Sequence, residues 1–155
     1  MSRRISTKKR FPERELKYDN LLVSLLINRI LKNGKKLLAK RIVYKALEFI
    51  EFRTSQKPLI VLEKAIRNTS PRVQLKAKRV GGATYQVPTL ISKFHSINMS
   101  ITWLVEYSRK RSGRGMSIKL SNELLEAAKG LGNTIKKKEE MHKMAEANKA
   151  FAQFR

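Results

Sequence analysis

In the segment VQLKAKRVGGATYQVP, residues 73–88, Lys76, Lys78 and Arg79 share two short strand-like runs with Tyr85, and no carboxylate stands between Glu63 and Glu106. Ammonium and guanidinium groups attract phosphate, and a phenol ring stacks on a base or sugar, so this combination suits a nucleic-acid backbone. A second basic knot, Arg109, Lys110, Arg111 and Arg114, closes one helical pattern and enters the glycine-bearing loop SGRG. Cations at a helix C-terminus favour the helix dipole by about 0.3 to 1 kcal/mol each, whatever the function. Four of them within six positions exceed that need, which favours phosphate contact. Lys136 and Lys137 form a third candidate, although Glu139 and Glu140 follow and can pair with them along a helix.

The whole chain leans the same way. Among 155 residues, Lys and Arg total 35 against 12 Asp and Glu, a formal charge of +23 that repels itself unless a polyanion is present. Nucleic acid is the leading partner. An anionic membrane is the competitor, but no apolar run reaches the roughly 18 residues of a spanning helix. The start, MSRRISTKKRF, has charge without the apolar stretch of a signal peptide, so the chain is expected to stay where it is made. With no cysteine there are no disulfides, thiolate zinc sites or thiol nucleophiles. His95 and His142 stand far apart without metal-ligand spacing, so neither a metal nor a cofactor is expected. No pattern couples a nucleophile, a base and an orienting group, which argues against an enzyme, a nuclease included.

These side chains need a scaffold, and the periodicity supplies one. Residues 1–17 carry seven basic residues and little apolar pattern, which reads as a basic N-terminal arm ordered by an anionic partner. Residues 18–155 read as a single helical domain with a ribbon at about 72–91. The first helix, within DNLLVSLLINRILKNG, has Asp19 as its expected cap and Asn33-Gly34 as its left-handed stop. In KKLLAKRIVYKALEFIEF, helical spacing sends Leu38, Ile42, Ala46 and Phe49 to the core and turns Lys40, Arg41, Tyr44, Lys45 and Glu48 away. Pro58 opens a third helix and Pro71 closes it. A fourth presents Phe94, Ile97, Ile101, Leu104, Val105 and Ser108, with Trp103 read as core. A fifth presents Leu120, Leu124 and Ala127 and stops at Gly130. Asn133 is the expected cap of a sixth, whose sparse stripe runs through Met141, Met144, Ala145, Phe151 and Phe154. The expected fold is mainly α, a six-helix bundle with one protruding two-stranded antiparallel β-ribbon.

Glycine at both centres of a two-residue hairpin loop meets the positive φ that primed turns demand, so Gly81-Gly82 sets the register. Val80 then faces Ala83, Lys78 faces Tyr85 and Lys76 faces Val87, with Ala77, Arg79, Thr84 and Gln86 on the other side. Neither face is apolar enough to bury, so the ribbon is expected to project. A lone hairpin is marginal in water, and a bound surface would complete it.

Two segments, KAKRVGGATYQVP and HKMAEANKAFAQFR, closely resemble the signature regions of the seventh small-subunit ribosomal protein family, bacterial or organellar type. NGKKLLAKRIVYKALE, AIRNTSP, ITWLVEYSRKR and LSNELLEAAKG extend the likeness over nearly the whole chain in the family's order. The resemblance implies a structural constituent of the small ribosomal subunit that binds the 3′ major domain of its rRNA and organises assembly of the head. The ribbon would lie near the exit-site tRNA and the mRNA exit path. Carried onto this sequence, the rRNA-contacting residues are Arg3, Arg4, Lys8, Lys9 and Arg10 of the arm and Lys35 and Lys36 at a helix junction. Lys76, Lys78 and Arg79 of the ribbon join them, as do Arg109, Lys110, Arg111 and Arg114. Other implied partners are neighbouring small-subunit proteins, with no membrane and no stand-alone homo-oligomer. Abundant Lys, Asn and Ile without a presequence point to a plastid ribosome, with the bacterial cytoplasm or a mitochondrion as alternatives. The competing reading is an architectural DNA-binding protein with basic ribbon arms.

Overall fold

In the computed structural model, which describes residues 12–154, Asn20 opens the first helix, α1 (Leu21–Ile30). Its Oδ1 accepts the Leu22 N–H at 2.7 Å, one of the donors that a helix start leaves unpaired. Asp19, the expected cap, instead takes left-handed backbone at φ 41°. The helix stops at Leu31, so the left-handed pair Asn33-Gly34 turns the chain only after helical bonding has ended.

The next helix, α2 (Lys36–Thr54), buries Ala39, Val43, Ala46, Leu47 and Ile50. That stripe is rotated from the expected one: Leu38 is 52% exposed and Phe49 39%. Apolar residues stand at adjacent positions along this helix, so two stripes share the same period. Ala39 and Val43 are the smaller side chains, and burying them lets neighbouring helices approach closely. Pro58 and Pro71 bracket α3 (Pro58–Thr69) as expected.

At the centre lies α5 (Met116–Ala128), packed against α2, α3 and α4 (Lys93–Lys110). Its Leu120, Leu124 and Ala127 are fully buried, and each leucine contributes about 1.5 to 3 kcal/mol through area removed from water. Ile101, Trp103, Leu104, Val105 and Ser108 of α4 are buried too, whereas Phe94 stays 38% exposed. One contiguous apolar cluster joins residues of α1 to α5.

The last helix, α6 (Asn133–Ala147), follows Gly132, and Asn133 is its first residue rather than its cap. Only Thr134, Ile135 and Ala145 are buried along it, and the chain passes into a 3₁₀ segment at Lys149–Phe154. Thus α6 stands outside the main cluster, against α3, α4 and the ribbon.

The ribbon, β1 (Val73–Val80) and β2 (Ala83–Leu90), has the expected register, with Val80 opposite Ala83, Lys78 opposite Tyr85 and Lys76 opposite Val87. Its surroundings differ from expectation. α6 lies along β1, and the 3₁₀ segment along β2, so the chain's own C-terminus covers part of the ribbon. Val87 is buried, and the Tyr85 ring centroid is 5.2 Å from that of Phe151. At the base, the Arg72 N–H donates to His142 Nε2 at 3.1 Å. The tip from Lys76 through Arg79 to Thr84 remains largely exposed.

Candidate nucleic-acid interface

Where α1 ends and α2 begins, residues 32–38 are exposed, and they include Lys32, Lys35 and Lys36. The end of α4 meets them there: Arg109 donates from Nη2 to the Ile30 carbonyl at 3.3 Å. Lys32, Lys35 and Arg109 rim one cleft, which Leu38, Ile42 and Met116 line. Lys35, Lys36 and Arg41 edge a second, shallower depression beside it. None of Lys32, Lys35, Lys36, Arg41, Arg109 and Arg114 forms an ion pair with a carboxylate among the described residues. Helix geometry therefore gathers Lys32, Lys35, Lys36, Arg41 and Arg109, from three parts of the chain, onto one face without ion pairs to carboxylates among the described residues, the electrostatic condition for binding phosphate.

Two members of the basic knot behave differently. Lys110 pairs with Glu106 at 2.7 Å on the surface, an exposed contact that water and phosphate can replace. Arg111 turns inward. Its Nε donates to Glu123 Oε2 at 2.5 Å, and its two terminal nitrogens engage Glu126. Glu123 is fully buried and also accepts from the Thr134 hydroxyl at 2.5 Å. The bond from Arg111 holds the Glu126 carboxyl below its usual range, against the opposing pull of burial. The Glu126 partner likewise raises the Arg111 guanidinium. Gly132 closes this network: at φ 96°, a Cβ there would stand 3.2 Å from Glu126 Oε2. Arg111, expected among the phosphate ligands, is thus a structural cation that ties the end of α4 to α5.

On the ribbon, Lys76, Lys78 and Arg79 are exposed, while the Tyr85 ring packs against Phe151 at a tilt of 41°. Among the described residues, the ribbon is packed on α6 and the 3₁₀ segment, not on α1 or α2, so its cations form a separate site from the cleft face. On α6, Lys136 is exposed, Lys137 pairs with Glu140 at 3.4 Å, and Lys138 donates to the Asn68 carbonyl at 2.6 Å. His95 lies on the surface, its Nε2 at 3.3 Å from Gln74 Oε1.

Arg3, Arg4, Lys8, Lys9 and Arg10 lie outside the described residues. The final part of the expected arm is anchored to the bundle. Glu15, 4% exposed, accepts from the Tyr44 hydroxyl, the Lys17 N–H at 2.7 Å and the Tyr18 N–H at 3.3 Å, with Lys40 at 3.5 Å. Burial pushes the Glu15 carboxyl up, but these donors together hold it below its ordinary value. Burial and the Glu15 bond push the Tyr44 hydroxyl up to about 12.

Lys32 and Arg41 belong to the basic face, and neither was among the expected contacts. A signal for Lys32 was present: it precedes Asn33-Gly34 in the same turn as Lys35 and Lys36. For Arg41 the signal was its place on the polar side of α2. Among the described residues no group of acidic or histidine side chains could hold a metal, and no helix is long and apolar enough to cross a membrane.

Residues 1–149 match the family described as Ribosomal protein S7p/S5e. The chain belongs to that family. It is similar to the small ribosomal subunit protein uS7c of Trieres chinensis, 58% identical over 144 residues, which cover 93% of this chain and 91% of the relative. It is also similar to uS7 of Thermosynechococcus vestitus (strain NIES-2133 / IAM M-273 / BP-1), 52% identical over 155 residues, covering 100% and 99%. Membership in the S7p/S5e family makes the chain a structural ribosomal protein rather than an enzyme. The two relatives, one plastid-type and one cyanobacterial, agree with the expected ribosomal location in a plastid, with a bacterial setting as the alternative.

Proposed function

We propose that this chain binds the 3′ major domain of small-subunit rRNA and organises assembly of the subunit head. The observation that carries this reading is the cluster of Lys32, Lys35, Lys36, Arg41 and Arg109, cations without carboxylate partners among the described residues, followed in the chain by the exposed Arg114. Holding such groups together costs self-repulsion, and phosphate offsets that cost by releasing its condensed counterions. Folded RNA suits this face better than a duplex groove does. Its cations sit on helix ends and turns around an irregular concavity, whereas groove binders insert one regular helix or ribbon. The exposed ribbon tip, with Lys76, Lys78 and Arg79, provides a second contact, directed to the region of the exit-site tRNA and mRNA exit path. Arg3, Arg4, Lys8, Lys9 and Arg10 of the arm, together with Lys136, extend the phosphate-binding set. Lys110 and Lys137 join it once RNA displaces their surface partners. Neighbouring small-subunit proteins complete the environment, and the plastid is its setting.

The test is binding of the purified chain to a transcript of the 3′ major domain across a salt series, with duplex DNA as competitor. The expected result is a steep linear fall of log affinity with log salt, and preference for the transcript. Affinity indifferent to salt, or equal affinity for duplex DNA, would overturn the reading.

A further inference from the structure

The cleft between the α1–α2 turn and the start of α5 has two chemically distinct parts. Its rim is cationic: Lys32 and Lys35 from the turn, and Arg109, whose guanidinium is steadied by the Ile30 carbonyl at 3.3 Å. Its lining is apolar, with Leu38 52% exposed and Ile42 and Met116 partly buried. No acidic residue lines it. A phosphate surface alone does not require an apolar floor, and leaving large aliphatic side chains open to water forgoes the stabilisation of burying them. A sugar-phosphate unit with its base swung out of the stack presents the complementary pair, a flat weakly polar ring a few ångströms from an anion.

Resting on the rRNA-binding reading above, we propose that this cleft receives the base of one unpaired rRNA nucleotide, with its phosphate on Lys32, Lys35 and Arg109. The base lies against Leu38, Ile42 and Met116. The face thereby selects a bulge or loop over continuous helix, which phosphate contacts alone do not achieve. An acidic protein segment would also match the rim, but an extended peptide needs partners for its backbone, and the lining offers aliphatic surface instead.

The two parts predict separable effects on binding to full-length small-subunit rRNA. Leu38→Ala removes half-exposed aliphatic surface, and Met116→Gln keeps the length while adding polarity. Both leave every cation in place. Each is expected to weaken binding by about fivefold or more while leaving the slope of log affinity against log salt unchanged, because base contacts release few counterions. Lys32→Ala with Lys35→Ala should weaken binding and also flatten that slope by about 2. Leu38→Ala is the deciding variant should Met116→Gln lower thermal stability, since Leu38 lies outside the core.

Wild-type affinity in both apolar variants, with the lysine pair still weakening binding, would overturn the nucleotide cleft and leave the rRNA reading standing. Normal rRNA affinity combined with failure of the apolar variants to enter reconstituted subunits would assign the cleft to a protein neighbour, also overturning the proposal. Normal affinity and slope in all variants would remove this whole face from the RNA interface. Loss of salt dependence in the wild type itself would instead sink the underlying reading.

Discussion

Arg111 Nε donates to Glu123 Oε2 across 2.5 Å, tying the residue just past α4 to a carboxylate that α5 holds fully out of water. Removing one partner of such a pair leaves a buried charge uncompensated. Arg111→Ala is therefore expected to destabilise the fold by about 3 kcal/mol. For a domain of this size that lowers Tm by roughly 6 to 12 °C in a thermal melt. RNA affinity, measured well below the melt, should stay within about twofold of wild type, because the guanidinium is already engaged by Glu123 and Glu126. An unchanged melt with weakened RNA binding would return Arg111 to the phosphate-binding set.

A linear sequence hides the role of Arg111. Its partners stand 12 and 15 residues downstream on another helix, and a basic run gives no sign of which member turns inward. Likewise Tyr85 meets Phe151 only because α6 brings the chain's end back along β2. Local rules did better where the backbone alone decides. Gly81-Gly82 sets the hairpin register, Pro58 and Pro71 bound α3, and Leu120, Leu124 and Ala127 mark the buried side of α5. They misplace what packing decides, as on α2, where Leu38 and Phe49 face outward although Ala46 faces inward. The S7p/S5e likeness was legible in two short segments. The gathering of Lys32, Lys35, Lys36 and Arg109 was not, since it depends on how α4 lies against α1.

Glu15 and Tyr44 set the attachment of residues 12–18 to α2. Glu15 titrates lower folded than unfolded, so its contribution is complete above about pH 4.5 and is lost as pH falls through the depressed folded value. Tyr44 behaves oppositely: its hydroxyl, raised from 10.0 to about 12, supports the fold fully below pH 10 and loses that effect as pH rises toward 12. Phenolate absorbance should therefore show one tyrosine ionising near pH 12, and Tyr44→Phe should remove that step. The same substitution takes a donor from a buried carboxylate and should cost about 1 to 3 kcal/mol. Retention of the late phenolate step in Tyr44→Phe would assign it to another tyrosine.

His142 controls the base of the ribbon. Burial, then the charges of Lys138 and Arg72, lower its pKa below 6.5, and neutral Nε2 accepts the Arg72 N–H at 3.1 Å. A protonated ring cannot accept that bond. Its contribution is present above pH 6.5 and is lost as pH falls through the lowered folded value. Hydrogen exchange at the Arg72 amide, corrected for intrinsic rate, should accelerate on acidification from pH 7 to 5. His142→Gln keeps an acceptor without a titrating ring and should flatten this profile. An acceleration of equal size in both proteins would detach the effect from His142.

Lys76 and Lys78 lie on the same ribbon side as Val87 and Tyr85, yet their side chains remain exposed while Val87 is buried and Tyr85 packs near Phe151 of the C-terminal segment. Replacing both lysines by alanine should leave Val87 buried and the ribbon folded, so a single thermal transition is expected to persist. Affinity for small-subunit rRNA should fall by roughly three- to tenfold and its salt slope should flatten by about 2, one for each phosphate-binding ammonium removed. Circular-dichroism melts and filter binding measure the two effects separately. A Tm lowered by many degrees with RNA affinity intact would mean that the two ammonium groups secure the ribbon to its own C-terminus. The ribbon would then be a packing element, and the exposed basic tip would shrink to Arg79.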